Sequence, residues 1–390
     1  MNHVTEALPL DVLEKVRARL VRTGAEPSSA HVAEALRDEG LVLGDAVLMR
    51  LVLAVRSELA GAGPLEPLLR DESVSDVLVN GPDSVWVDRG TGLERTAVSL
   101  PDEAAVRRLA QRLAALAGRR LDEAAPYVDA RLPDGSRLHA VIPPVAPRGT
   151  CISIRVPRRR TFTLAELVAA GSLPAAGARW LRAMVEARIA FLVSGGTGAG
   201  KTTLLSCLLS LARADERLLV VEDSSELDPA HPHVVRLESR PANVEGAGAV
   251  TLRDLVRQAL RMRPDRLVVG EVRGAEVVDL LAALNTGHEG GCGTVHANSA
   301  TDVPARLEAL ALAAGLPRAA LHAQLAAGLD AVVHVGRHEQ GVRMVREVCV
   351  LRPGPDQLVA AIPALVFDPN GVRAGPGLPT LTGRLGLAAA

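Results

Sequence analysis

A glycine-rich segment near the middle of the chain constrains the fold more than any other feature. It matches the pattern G-x-x-x-x-G-K-[ST], which binds phosphates when a strand precedes it and a helix follows. An apolar run at 189–193 predicts the strand, and 203–209 predicts the helix. We therefore predict a P-loop rather than a chance turn. Its residues are Gly195, Gly196, Thr197, Gly198, Ala199, Gly200, Lys201, Thr202 and Thr203.

The residue types in this segment suit a phosphate chain. Glycines let the backbone curl so that successive N–H groups point at anionic oxygens, and the following helix adds its positive N-terminal end. Lys201 supplies a mobile charge for the outer phosphates, and the Thr202 hydroxyl can ligate Mg²⁺. Only Lys15 and Lys201 are lysines, against 42 arginines, which indicates a chemical requirement for lysine at this position.

The composition limits what the rest of the chain can be. Its 390 residues suggest two or three domains, and 48% hydrophobic residues are ample for buried cores. A formal net charge of −1 gives no sign of a nucleic-acid partner. Four well-separated cysteines fit a reducing, cytoplasmic setting. No apolar run reaches the roughly 18 residues of a membrane span, so we expect any membrane association to use a partner or a surface of the protein.

Changes of pattern along the chain predict six segments. Helical periodicity marks the start, near 10–20, 31–37 and 46–59, and strands alternate with helices around the P-loop, which is typical of an α/β fold with a parallel sheet. The arginines near 158–160 read as a solvated hinge, with a nucleic-acid contact as the alternative. The segments are a helical N-terminal extension at 1–60, an α+β domain at 61–155, a linker at 156–162, a P-loop domain at 163–300, a helical segment with late strands at 301–367, and a disordered tail at 368–390.

Acidic residues follow the first predicted strand after the P-loop. The apolar run 218–221 is followed by Glu222 and Asp223, and Glu226 comes three residues after Asp223. Carboxylates at this end of a parallel strand lie where ligands bind, and they can position water or hold Mg²⁺. We predict that Asp223 joins Thr202 in holding Mg²⁺. The alternative is an acidic helix start capped by Ser224 or Ser225.

A second carboxylate follows the next predicted strand, 70 residues after Lys201. Residues 251–254 predict a capping box at the start of a helix. The predicted strand 267–269 comes after this helix and is followed by Gly270 and Glu271. An aspartate is usual where Gly270 stands, so this Walker B element is atypical. Glu271 is the carboxylate left to polarise an attacking water, and a surface glutamate at a strand end is the alternative.

His288, Cys292 and His296 are spaced by four residues. On one helix they could ligate Zn²⁺, but the glycines among them argue against that helix. We predict instead that His288 and His296 sense a phosphate group or a neighbouring subunit. A structural role is the alternative for each histidine.

Together these segments resemble the secretion-superfamily ATPases of type II and type IV secretion. The resemblance is closest to the Tad/Flp pilus assembly branch, the CpaF-like or TadA-like ATPases, which also occur as conjugal-transfer-associated ATPases. It covers about 63–350. The matching segments are Val79–Pro82, Val128–Arg137, Gly195–Thr203, Glu222–Glu226, His233–Glu238, Arg261–Arg266, Gly270–Arg273, Asn285–Gly290 and His296–Ser299.

The resemblance implies a fold, a reaction and partners. It implies a RecA-like motor domain that uses ATP and Mg²⁺, in a cytoplasmic homohexameric ring at the inner face of the membrane, docked on a platform protein of a pilus or secretion system. It also implies arginines that close on the phosphates from the N-terminal domain or a neighbour. The candidates are Arg131, Arg137 and Arg155, with Arg273 beside Glu271 in sequence.

One departure and two other functions stay open. Gly291, Cys292 and Gly293 depart from the family pattern, and such small residues are expected to loosen the loop before His296. A DNA-translocating ATPase of the conjugation type would share the same core. A nucleotide-dependent scaffold without turnover is the third hypothesis, against which the intact Lys201, Thr202 and Glu271 argue.

Overall fold

The computed structural model describes residues 10–23, 28–38, 49, 61–90, 92–156, 161–240, 242, 247–337, 342–368 and 371–387. The chain forms two compact units, Met1–Arg158 and Arg159–Ala390. Their boundary falls within the predicted linker, of which 157–160 lie outside the described residues. Nearly all of the third predicted N-terminal helix, 46–59, also lies outside them.

Two helices begin the described part of the first unit. They are α1 (Leu10–Thr23) and α2 (Ser29–Asp38), and they pack against each other. Val16 and Leu20 of α1 are buried because they lie one turn apart on the same helix face. Arg19 of α1 forms an ion pair with Asp38 of α2.

The rest of the first unit is an antiparallel sheet of six strands in the order β3-β2-β1-β6-β5-β4. Apolar residues alternate along its strands, so one face is buried against a helix that begins at the cap residue Asp102. The strands are β1 (Asp76–Val79), β2 (Val85–Asp88), β3 (Leu93–Arg95), β4 (Tyr127–Arg131), β5 (Arg137–Val141) and β6 (Cys151–Arg155). The helices are α3 (Glu66–Leu69), which follows a 3₁₀ turn, and α4 (Glu103–Leu116).

The second unit is an α/β fold built on one sheet of nine strands, in the order β15-β14-β13-β12-β7-β11-β10-β8-β9. The six strands from β12 to β9 in that order pair in parallel, and β12 to β15 pair antiparallel. The strands are β7 (Phe191–Gly195), β8 (Leu218–Glu222), β9 (Val234–Glu238), β10 (Arg266–Val272), β11 (Cys292–His296), β12 (Ala331–Arg337), β13 (Arg343–Pro353), β14 (Val359–Asp368) and β15 (Gly371–Ala374).

Helices cover both faces of this sheet, which explains why its central strands are continuous apolar runs. The first face packs against α5 (Leu164–Ala169), α6 (Ala175–Glu186), α7 (Lys201–Leu209) and α12 (Leu378–Arg384). The second packs against α8 (Leu252–Ala259), α9 (Glu276–Leu284), α10 (Val303–Ala313) and α11 (Arg318–Gly328). The predicted capping box at the start of α8 is confirmed: Thr251 and Asp254 exchange hydrogen bonds.

The C-terminal part of the chain differs from the prediction. The late strands do not stand apart from the P-loop domain, since β12 pairs in parallel with β7 and thus extends the central sheet. The disordered tail is wrong for 371–387, which form β15 and α12. Leu381 is fully buried, and Gly375 lies where a Cβ would collide with the backbone oxygen of Pro363. Two of the glycines that suggested disorder, Gly375 and Gly377, serve close packing instead.

Helices in the described part of the chain are too short or too polar to cross a membrane.

Candidate functional site

The P-loop lies between β7 and α7, at the carboxyl edge of the parallel strands. Gly198 and Gly200 have φ values of +66° and +98°, a left-handed conformation that favours glycine. A Cβ on Gly195 would collide with the backbone oxygen of Val335. Gly200 caps α7 without a side-chain hydrogen bond, so the first N–H groups of α7 are not satisfied by the cap residue. The loop therefore fits an anionic ligand such as a phosphate chain.

Lys201, the first residue of α7, is buried and folds back over the loop. Its Nζ donates to the carbonyl oxygens of Gly195 and Gly196, at 3.1 and 2.9 Å. Burial lowers the pKa of Lys201, while the nearby carboxylates of Glu271 and Glu226 act in the opposite direction. A negative ligand in the loop would offset the same desolvation, so the buried ammonium suits a phosphate site.

Glu271 and His296 meet beside Lys201. Glu271 is the last residue but one of β10, and His296 ends the neighbouring parallel strand β11, so the sheet brings them to one edge. His296 Nε2 lies 2.7 Å from Glu271 Oε1. Lys201 Nζ lies 3.4 Å from Nε2 and 3.5 Å from Nδ1 of the same ring. A carboxylate, an imidazole and an ammonium group thus form one cluster against the P-loop.

Glu222 is buried at the end of β8 and shapes the acidic loop behind it. Its Oε1 accepts hydrogen bonds from the backbone N–H groups of Glu226 and Leu227, at 3.1 and 3.0 Å. Among the described residues, its buried Oε2 has no hydrogen-bond partner. A Cβ on Gly270 would lie 2.5 Å from Glu222 Cγ. Gly270 replaces the usual aspartate because the side chain of Glu222 fills that space.

The other two acidic residues have separate partners. Thr202 Oγ1 lies 3.5 Å from Glu226 Oε2. Asp223 instead forms an ion pair with Arg273 and accepts a hydrogen bond from Ser239 Oγ at 2.9 Å. Hydroxyl and carboxylate oxygens suit Mg²⁺, so Thr202 and Glu226 fit a cation site better than the predicted pair of Thr202 and Asp223. The alternative of a helix start is wrong, since 223–233 contain no helix.

The two histidines occupy different structures. His288 lies in the loop after α9, where its Nδ1 is 3.2 Å from the Ala283 carbonyl oxygen, whereas His296 ends β11. Cys292 is buried at the start of the same strand, and burial raises the pKa of its thiol to about 12. The helix that would have aligned these three side chains for Zn²⁺ is not formed.

The glycines beside Cys292 tighten this region. A Cβ on Gly291 would lie 2.5 Å from Leu284 Cδ2, and a Cβ on Gly293 would lie 2.5 Å from the Val269 carbonyl oxygen. β11 therefore approaches β10 and α9 more closely than a side chain would allow. The expectation that these small residues loosen the loop before His296 is wrong.

The candidate arginines of the first unit form a row. Arg131, Arg137 and Arg155 are cross-strand partners on β4, β5 and β6. Their neighbours along each strand are buried, so the row belongs to the opposite face of the sheet from the helix. Arg137 pairs with Asp129 at 2.8 Å and Arg155 with Asp76 at 3.1 Å. Arg273, the fourth candidate, belongs to the second unit and pairs with Asp223.

Two further arginines, which the sequence did not indicate as site residues, lie near the P-loop. Arg343 Nε donates to the Gly198 carbonyl oxygen at 2.8 Å, and Arg337 NH2 lies 3.6 Å from the position of a Cβ on Gly198. They are cross-strand partners at one end of the pair formed by β12 and β13. Only the pairing of β12 with β7 places them here, and the sequence pattern gave no signal for that pairing.

The raised pKa of Glu222 leads us to predict an unusual pH dependence of stability. Burial raises its pKa from 4.5 to about 7. Between these pH values the folded protein holds a proton that the unfolded chain releases, so stability falls as pH rises through this window, by about 3 kcal/mol in total. Glu222→Gln should remove that fall. Urea midpoints at pH 5 and 8, in EDTA without nucleotide, check this, and an equal fall in the variant would contradict it.

A P-loop beside a lysine, histidine and carboxylate cluster, at the carboxyl edge of a parallel sheet, defines a P-loop nucleotide-binding protein. More specifically, the chain belongs to the type II/IV secretion system protein family, whose model matches residues 58–359. This confirms the resemblance to the secretion-superfamily ATPases, and the chain is a secretion ATPase of that family.

Individual relatives agree with this assignment. A putative conjugal transfer protein of Mycobacterium tuberculosis is 58% identical over 325 residues, which cover 82% of this chain and 92% of the relative. The type IV secretion system protein PtlH of Bordetella pertussis is 34% identical over 307 residues, covering 72% of this chain and 90% of the relative. The ATPase DotB of Legionella pneumophila shares the fold, with a TM-score of 0.51 and 19% identity over 82% of this chain and 86% of that one.

Proposed function

We propose that the second unit is a RecA-like motor domain that hydrolyses ATP to power a pilus or a type II/IV secretion machine. One observation carries the proposal: Lys201, His296 and Glu271 converge at the P-loop, with His296 2.7 Å from Glu271 and 3.4 Å from Lys201. A cation for the outer phosphates and a carboxylate that can accept a proton from water are what hydrolysis of the terminal anhydride needs.

Glu271 is the general base of the proposed reaction. It takes a proton from a water molecule whose oxygen bonds to the γ-phosphorus, while the bond to the β,γ-bridging oxygen breaks and leaves ADP and phosphate. His296 donates a hydrogen bond to the Glu271 carboxylate and orients it. Lys201 leaves the carbonyls of Gly195 and Gly196 to bind phosphate oxygens.

The acidic loop supports this chemistry from the side. Thr202 and Glu226 are the residues that would hold Mg²⁺, which supplies positive charge to the phosphates when bound. Glu222 acts through Glu226, because it holds the backbone of that residue in place. His288, bonded to the Ala283 carbonyl, has a structural role in this proposal rather than a sensing one.

The arginine row is proposed to complete the nucleotide site of a neighbouring subunit. Arg131, Arg137 and Arg155 present guanidinium groups on one exposed sheet face, as closing arginines require. In this proposal six copies form a ring in the cytoplasm, docked on a platform protein at the inner face of the membrane. The Tad/Flp branch is the proposed pathway.

DNA translocation is a second candidate function. The relative from Mycobacterium tuberculosis is described as a putative conjugal transfer protein, and conjugation moves DNA. A motor acting on DNA would be stimulated by DNA, and the stimulation would fall steeply with salt, because phosphate contacts release counterions.

Hydrolysis by the purified chain at increasing protein concentration tests the proposal. We expect specific activity to rise with concentration, because the closing arginines come from a neighbour, and DNA to have no effect. Lys201→Ala should remove the activity, and Lys15→Ala is the matched control because it removes the only other lysine. Tight ATP binding without turnover at every concentration would contradict the motor and select a scaffold. Salt-sensitive stimulation by DNA would select the second candidate.

A further inference from the structure

The hairpin of β12 and β13 lies against the P-loop from the loop's first residue. β12 pairs in parallel with β7, with His334 opposite Ser194, and Ser194 Oγ lies 2.9 Å from His334 Nδ1. The next residue, Gly195, fits only because it lacks a Cβ that would meet the Val335 backbone. Residues 140 positions later in the chain thus form the backing of the P-loop.

Two arginines continue this contact along the loop. Arg337 and Arg343 are direct cross-strand partners at the end of the hairpin. Both reach Gly198: Arg343 Nε donates to its carbonyl oxygen at 2.8 Å, and Arg337 NH2 lies 3.6 Å from the position of its Cβ. Like charges directly opposite each other weaken a strand pair. Two cations converging on a phosphate-binding loop point to an anion as the ligand.

Arg343 also restrains the part of the loop that contains two left-handed glycines. Gly198 and Gly200 both have left-handed φ values, and glycine loses more conformational freedom on ordering than other residues. The hydrogen bond to the Gly198 carbonyl fixes the peptide between them, and Arg343 Cδ lies 3.6 Å from the position of a Cβ on Gly200. A loop fixed beforehand costs less to order when a ligand binds.

We propose that Arg343 is a positioning residue that preorganises the P-loop, and that Arg337 and Arg343 together add a cationic wall for the nucleoside di- and triphosphate. This wall comes from the same subunit and is distinct from the arginine row of the first unit. The inference rests on the proposed function, because it concerns the same nucleotide site. Lys201 lies over Gly195 and Gly196, so the two arginines extend the positive charge to the middle of the loop.

Titration with a fluorescent ADP analogue tests the wall without requiring turnover. We expect Arg343→Ala and Arg337→Ala each to weaken binding about tenfold, as expected for a lost charge-assisted interaction. The matched control is Arg346→Ala, which removes an arginine of the same strand that contacts Met344 Sδ at 3.4 Å and should bind like the wild type. The wild-type affinity should also fall more steeply with KCl than that of the double variant Arg337→Ala/Arg343→Ala.

Conservative variants separate positioning from charge. Lysine keeps the charge but lacks the planar fork, so Arg337→Lys should bind nearly as well as the wild type, whereas Arg343→Lys should stay severalfold weaker. Unfolding midpoints without nucleotide identify any variant that fails to fold, and Arg343→Lys retains the aliphatic stem if Arg343→Ala is unstable. Binding of Arg343→Ala within twofold of a wild type that binds would overturn this inference alone. A wild type that does not bind ADP would overturn the proposed function and this inference with it.

Discussion

Replacing Glu271 by glutamine is expected to lower ATP hydrolysis by roughly 10²–10⁴-fold, the usual contribution of a general base. Glutamine keeps the size of the side chain and can still accept the hydrogen bond from His296 Nε2. It cannot take a proton from water. Binding of ADP should therefore stay close to that of the wild type while turnover is lost, and single-turnover hydrolysis together with ADP titration measures both.

The control for this substitution is Glu289→Gln, which neutralises an exposed glutamate in the loop before β11. It should leave both turnover and binding unchanged. If Glu271→Gln hydrolyses ATP as fast as the wild type, Glu271 is not the base. If it instead loses ADP binding together with turnover, the carboxylate of Glu271 supports Lys201 rather than activating water. This second outcome is worth testing because burial lowers the pKa of Lys201 and the charge of Glu271 acts to raise it.

The sequence predicts those parts of the site that short local sequence patterns specify. The P-loop and the strands that carry Glu222 and Glu271 near their carboxyl ends are runs of a few residues with a fixed order. The parallel sheet brings these ends to one edge. The family resemblance used the same short segments. No such pattern specifies that His296 contacts Glu271 and Lys201 together, because that contact depends on how β11 lies between β7 and β10.

Gly270 shows why a local departure needs the neighbouring strand to explain it. In the sequence it is a missing aspartate, and its reason lies 48 residues earlier, in the side chain of Glu222 that covers it. Gly291 and Gly293 are similar, since their neighbours are a helix side chain and the backbone of β10. The sequence predicted a loosened loop at Gly291 and Gly293, whereas the structure shows close approach there.

Arg337 and Arg343 were missed for the same physical reason on a larger scale. Arg343 is 145 positions from Gly198, and only the placement of β12 at the side of β7 brings the two together. Residues 371–374 add the edge strand β15 to that sheet, and α12 follows it. Apolar contacts of scattered residues such as Leu381 outweigh a composition rich in glycine and proline.

Breaking a buried ion pair at the start of β10 should cost more stability than breaking an exposed pair. Arg266 and Glu216 are both almost fully buried and bonded side by side, with Arg266 NH2 also donating to the Val185 carbonyl oxygen at 2.8 Å. Removing one partner leaves a buried charge without compensation, so Glu216→Ala should lower the free energy of unfolding by about 3–5 kcal/mol. The double variant Glu216→Leu/Arg266→Met should recover most of that loss, because an apolar pair needs no compensation.

Urea unfolding, followed by tryptophan fluorescence, measures the loss of stability in the second unit, which contains the ion pair. The chain has two tryptophans, Trp86 in the first unit and Trp180 on α6, so Trp86→Phe leaves one reporter on the helix that accepts the Arg266 hydrogen bond. The matched control is Asp215→Ala, which breaks an exposed pair with Arg213 at 2.7 Å, one residue before Glu216, and should leave the midpoint nearly unchanged. If Glu216→Ala and Asp215→Ala lower the urea midpoint equally, breaking the buried pair of Arg266 and Glu216 costs no more stability than breaking the exposed pair. A double variant as unstable as Glu216→Ala would mean that Arg266 contributes through its bond to Val185, not through the pair.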